Sequence, residues 1–280
     1  MKTEIPEQLA TTVPPNKWGK ILLSTPVVMT VVATLLAGLA SSEMTRAQYD
    51  RALGAQLQSK AGDQWSYFQA KKLRGAIQRN SYELLTATTD IRPISNPVLD
   101  KVPTPAAPAV DPKVQAAMQA IEDQKPETEI ADLLKTVDDK SLAAALQSAK
   151  DNALAFDAAV TPANQALDQL EKSLPAGDKA AARDLTAARM RYNAARYDAE
   201  ARLNQTVANL YELQVRKANI SAERHHRRSG KFFFGMLAAQ AAVIVSTFAI
   251  AAQKRNFLWS LAAVAGLAAI IFAIYVYLRV

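Results

Sequence analysis

The chain predicts an all-α fold with three transmembrane helices, on three observations. Three uncharged apolar runs, Ile21 to Ala40, Phe232 to Ala252 and Phe257 to Leu278, interrupt an otherwise polar sequence of 280 residues. Each is long enough to cross a bilayer, because twenty helical residues cover ~30 Å, the hydrocarbon thickness. The long stretch between the first and second runs is rich in Ala, Gln, Lys, Arg, Asp and Glu, which favour helix, and its apolar residues recur three and four apart. The expected architecture is a long antiparallel helical hairpin, a coiled-coil stalk rooted in the membrane, with a small distal helical region.

Each element follows in order. Residues 1–20 form an N-terminal tail, and 21–40 the first span, with Lys17, Trp18 and Lys20 before it and Pro26 in its first turns, where proline is best tolerated. The run is longer than a signal-peptide core and has only a weak cleavage site after it, so it reads as an uncleaved anchor. Residues 41–90 continue as the first stalk helix, with Ala47, Leu53, Leu57, Ala61, Trp65, Phe68, Leu73 and Ile77 on its apolar side. Six prolines between Pro93 and Pro112 make 91–112 a semi-extended linker.

Residues 113–177 are expected to form an acidic, Ala-rich helical region with one helix before Gln124, one from Pro126 to about Val160 and one started by Thr161-Pro162. Its apolar content is weak, so it needs the other helices or another copy to pack on. The second stalk helix, 178–231, keeps a three-four spacing through Leu185, Ala188, Tyr192, Ala195, Ala199, Leu203, Val207 and Leu210, as a coiled-coil seam does. The second span, 232–252, and the third, 257–278, leave only Gln253 to Asn256 between them, enough for a tight turn of a transmembrane hairpin. Small pairs at helix-face spacing, Ala33 and Ala37, Gly235 and Ala239, Ala262 and Gly266, suit close helix packing.

Charge separates the regions. Lys113 to Lys179 carries seven basic and twelve acidic residues, a net of −5, whereas Arg183 to Lys231 carries eleven basic and five acidic, a net of +6. The positive excess builds toward the second span, which suits anionic lipid head groups rather than nucleic acid. Arg224, His225, His226, Arg227, Arg228 and Lys231 form a basic collar at the membrane surface. Adjacent histidines on a helix point about 100° apart, and neighbouring arginines repel a cation, so the collar is not a metal site. The chain has no cysteine, and no phosphate loop, nucleophile elbow or metalloprotease pair occurs. No Asp, Glu, Lys, Arg or His lies within a span, which argues against a proton-coupled transporter. No catalytic residue, cofactor or metal is expected, and the protein is read as a non-enzyme.

Two helices rooted in one membrane run antiparallel, which sets a register. Trp65 lies about 24 residues beyond the first span, ~36 Å along a helix, and the same count back from Phe232 reaches Ala208. Trp65 and Phe68 are therefore expected to pack near Asn204 to Tyr211, and Tyr82 near Tyr192. The segment Asp63-Gln64-Trp65-Ser66-Tyr67-Phe68-Gln69-Ala70-Lys71-Lys72-Leu73-Arg74 is the most distinctive of the chain. Trp65, Phe68 and Lys72 are expected to share a face, as an aromatic lock in the hairpin or as a docking surface.

That segment, at Asp63, Gln64, Trp65, Tyr67, Phe68, Gln69, Ala70, Lys71, Leu73 and Arg74, resembles the signature of a family of uncharacterised bacterial membrane proteins, a domain of unknown function. Members have an N-terminal span, this segment, further helices and two C-terminal spans. The central region from Ile91 to Gly177 does not match and looks expanded. The resemblance implies a bacterial origin and a membrane location, and it brings no assigned activity to carry over.

Sidedness signals conflict. Lys254 and Arg255 favour the short turn inside, while the larger count of Arg46, Arg51, Arg224, Arg227, Arg228, Lys231 and Arg279 favours a cytoplasmic soluble region. The functional expectation is an oligomerising scaffold or organiser at the bacterial inner membrane, with a lipid bilayer, further copies of itself and an unidentified protein as partners. A subunit of a multimeric channel or transport assembly is the alternative.

Overall fold

The computed structural model describes residues 17–94, 96, 99, 102–251 and 255–279, with side chains at 24–250 and 257–275 within them. All regular structure among the described residues is helical: α1 Lys17–Thr88, α2 Pro112–Glu122, α3 Glu127–Thr136, α4 Asp139–Ser173, α5 Lys179–Ala251 and α6 Arg255–Arg279. Each predicted stalk helix is continuous with its span, α1 with the first and α5 with the second. The predicted turn falls largely on 252–254, outside the described residues, as does most of the N-terminal tail. Three helices are long and apolar enough to cross a membrane.

The chain divides into two compact units, Met1–Ala52 with Asn219–Val280, and Leu53–Ala218. In the first, α1, α5 and α6 share a core of small side chains. Ala33, Ala239 and Ala269 pack together beneath Val32 and Met236, and Leu36, Ala40 and Phe232 continue the contact. A Cβ on Gly235 would lie 3.4 Å from Leu36 Cδ1, and one on Gly266 would overlap Met29 Sδ. The predicted small residues thus serve close packing within one chain. Outside this core, Val31, Leu35, Phe234, Phe248, Val264 and Leu267 stand exposed on all three helices, the surface a lipid environment covers.

In the second unit α5 is the central element, with Val207 to Tyr211 buried at every position. One side of α5 carries the linker and α4: Leu99, Ala163, Leu167, Leu185 and Tyr192 form one cluster, and Phe156, Val160, Ala199 and Leu203 the next. The other side faces α1, where a Cβ on Gly75 would lie 3.3 Å from Asp198 Oδ1 and 3.6 Å from the Ala194 carbonyl. Gly75 is thus a point of close approach between the two helices.

Three expectations are corrected. The inner face of α1 in this unit runs through Gly54, Leu57, Ala61, Gln64, Phe68, Lys71 and Gly75, alternately three and four apart, while Leu53, Leu73 and Ile77 are exposed. Gly54, Ala61 and Gly75 share that face with Leu57, Gln64, Phe68 and Lys71, and the backbones come close at Gly75. The helix expected from Pro126 to Val160 breaks at Val137, which is extended, and Asp138 caps a new helix by accepting the Ser141 amide at 2.6 Å. The break expected at Thr161-Pro162 does not occur, and α4 runs through Pro162. Phe156, Val160, Ala163 and Leu167 stay buried on one stripe across it, and that burial offsets the backbone hydrogen bond a proline removes.

Candidate functional site

The distinctive segment divides by face. Trp65 is half-buried, and its Nε1 donates to Glu212 Oε1 at 2.6 Å, next to Tyr211 and four residues beyond Ala208, which is fully buried. Phe68 meets the Trp65 ring edge-on at 5.4 Å. One turn on, Lys71 pairs with Glu200 and lies over the Tyr197 ring at 5.4 Å. Arg79 pairs with Asp198. Gln64 and Tyr82 are half-buried, whereas Asp63, Gln69, Lys72 and Arg74 are exposed. Lys71 therefore takes the inward place expected of Lys72, because the contact steps three residues from Phe68 rather than four.

Tyr192 and Tyr211 serve the other side of α5. Tyr192 lies in the cluster with Leu99, Ala163 and Leu167, and burial raises its phenol pKa above the ordinary value. Its hydroxyl is enclosed without a hydrogen-bond partner among the described residues. Lys150 stands over the Tyr211 ring at 5.1 Å, and buried Asn209 donates to Glu122 at 2.9 Å.

The basic collar also divides. Arg224, His226 and Arg227 are exposed, while His225 and Arg228 turn inward. His225 Nδ1 lies 2.5 Å from Glu43 Oε2, and its Nε2 4.0 Å from Asp50 Oδ2. Arg228 Nη1 and Arg46 Nη1 stand 3.8 Å and 3.7 Å from Glu43 Oε1, and Ser229 Oγ donates to the Ala40 carbonyl at 2.7 Å. Lys231 lies over the Tyr275 ring at 5.6 Å. Glu43 and Asp50 were not singled out in the sequence, although they stand one heptad apart on the side of α1 that the antiparallel register brings to α5. On the outer side, Arg227 pairs with Glu223 at 2.8 Å, and that hydrogen bond holds the Glu223 carboxyl below its ordinary pKa. Among the described residues no group of three or more His, Asp or Glu is placed to hold a metal ion.

Ionic and aromatic contacts hold the inward faces of α1 and α5, and charged and apolar side chains remain outside. No curated protein and no solved structure matches the chain. A family model described as a domain of unknown function (DUF4337) matches residues 20–167. The match takes in the first span and the Trp65 segment and continues through the linker into α4, so the central region that looked expanded is largely part of the family's own domain. With more than half of its length inside that model, the chain belongs to the DUF4337 family.

Proposed function

We propose that the protein is a non-enzymatic, self-associating scaffold of the bacterial inner membrane. The observation that carries this is an apolar stripe left uncovered on α1 of the Leu53–Ala218 unit. Leu73, Ile77 and Leu84 are 62%, 52% and 66% exposed, and with Ala70 they fall on one side of the helix. Exposed Lys72 and Arg74 flank them. The partner with matching chemistry is a second copy: α4 carries Leu154, 68% exposed, with Asp151 and Asp157 beside it, in a region of net charge −5. Apolar stripe against apolar residue and base against acid give a coiled-coil-like contact that salt weakens.

Light scattering of the full chain in detergent tests this. A multimer is expected, and Leu73→Glu with Ile77→Glu is expected to reduce it toward the monomer with helicity unchanged. A wild type that is monomeric across its concentration range rejects the reading. The exposed Arg224, His226 and Arg227 suit anionic head groups, so vesicles containing phosphatidylglycerol are expected to quench a probe at 224 more than neutral vesicles do. Cysteines introduced at Ser59, Ser141 and Asn256 of this Cys-free chain report sidedness, with the soluble unit expected on the cytoplasmic side. A channel or transport subunit is the second reading, favoured by the groove within the spans that Gln240 borders together with Thr30 and Thr34. Planar-bilayer conductance of the folded oligomer tests it, and silence rejects it.

A further inference from the structure

Gln240 is the one carboxamide in the three apolar runs. It lies two residues from the middle of Phe232 to Ala252, ~3 Å along the helix, and therefore near the centre of the hydrocarbon. Its side chain is exposed on the surface of the α1–α5–α6 unit. There it borders a groove of ≈ 460 Å³ lined also by Thr30, Ala33, Thr34, Ala37 and Ile244. The groove's hydroxyls are committed, Thr30 Oγ1 to the Pro26 carbonyl at 2.8 Å and Thr34 Oγ1 to the Thr30 carbonyl at 2.9 Å. Gln240 has no hydrogen-bond partner among the described residues, and lipid tails offer none.

We infer that a second copy of this chain covers the groove, with the two Gln240 side chains hydrogen-bonded to each other. An amide carries a carbonyl acceptor and N–H donors, so two of them across a two-fold axis satisfy each other reciprocally. The surface permits the approach. Thr30, Thr34 and Gly38 follow at four-residue intervals on α1, and no atom lies within 4 Å of where a Gly38 Cβ would stand. Small side chains at that spacing let helices of separate copies meet closely. The alanines and glycines at the α1–α5–α6 contacts are already used within the chain, whereas this face is unoccupied. The inference rests on the self-association proposed above and names the contact through which it occurs in the bilayer.

The test uses the full chain in liposomes, with energy transfer between donor- and acceptor-labelled copies measured against the protein-to-lipid ratio. Gln240→Leu is expected to weaken association about tenfold, the scale of one interhelical polar contact, and Gln240→Asn to retain it. Gln240→Cys is expected to form a disulfide-linked dimer on oxidation, and Val264→Cys, exposed on α6 outside the groove, is not. Association of Gln240→Leu at wild-type strength, or equal cross-linking at both positions, means that lipid or another protein fills the groove and overturns the contact. A wild type that is monomeric at every ratio overturns the self-association reading as well.

Discussion

Trp65 and Tyr192 place polar atoms in opposite situations. The Trp65 indole has a carboxylate partner in Glu212, and a hydrogen bond to a charged group contributes about 1.5–3 kcal/mol. Trp65→Phe is therefore expected to lower the stability of the soluble unit by about 2 kcal/mol, and Trp65→Ala by more, because the Phe68 contact goes too. Denaturant unfolding followed by circular dichroism measures both, and unchanged midpoints would remove the lock. Tyr192 instead encloses a hydroxyl without a partner. Tyr192→Phe is expected to stabilise by about 1 kcal/mol, and a destabilised variant would mean that the hydroxyl has a partner. The Glu43–His225 pair was hidden in sequence because neither residue looks apolar. Only the antiparallel count, which puts Glu43 just outside the first span and His225 just before the second, points to it.

At the scale of elements, the spans were legible because hydrophobic length leaves few alternatives, and the inner face of α1 was legible only in part. Ala47, Leu57, Ala61 and Phe68 read as apolar positions and do lie inward, but Gly54 and Gly75 are too small to stand out in a search for apolar stripes, and Gln64 and Lys71 look like surface residues. Leu53, Leu73 and Ile77 draw the eye and point away. The N-terminus of α4 was missed because Val137 reads as an ordinary helical residue, although Asp138 three residues before Ser141 is the capping pattern. The Ser141 amide holds the Asp138 carboxyl below its ordinary pKa. A carboxyl lowered in the folded chain adds stability above its unfolded pKa and loses it as pH falls through the folded value. The protection of the Ser141 amide, its observed exchange rate set against the intrinsic rate at the same pH, is thus expected to be higher at neutral pH and to fall on acidification below about pH 4, and Asp138→Asn is expected to blunt that dependence. In the same helix, Pro162→Ala restores a backbone donor and is expected to raise stability by about 1–3 kcal/mol, read as a higher unfolding midpoint.

For the whole molecule, each unit has a glycine at a close approach that a larger side chain would disrupt. Gly75→Leu puts a side chain where Asp198 and Ala194 lie and is expected to lower the unfolding midpoint of the soluble unit. Gly266→Leu displaces Met29 and is expected to destabilise the apolar unit. A chain reporting the two units by separate fluorophores distinguishes the cases: one shifted midpoint per substitution means that the units open separately, and coincident shifts mean that they unfold as one.

The proline-rich strap has a consequence of its own. Leu99 and Val102 are seated against α4 and α5, and the Arg92 amide donates to Asp184 at 3.2 Å. A stretch without regular backbone bonding is ordinarily where a broad-specificity protease nicks a native protein. Cleavage beside the seated Leu99 and Val102 is expected to need α4 to let go, so its rate reads out how often the Leu53–Ala218 unit opens, without any label attached.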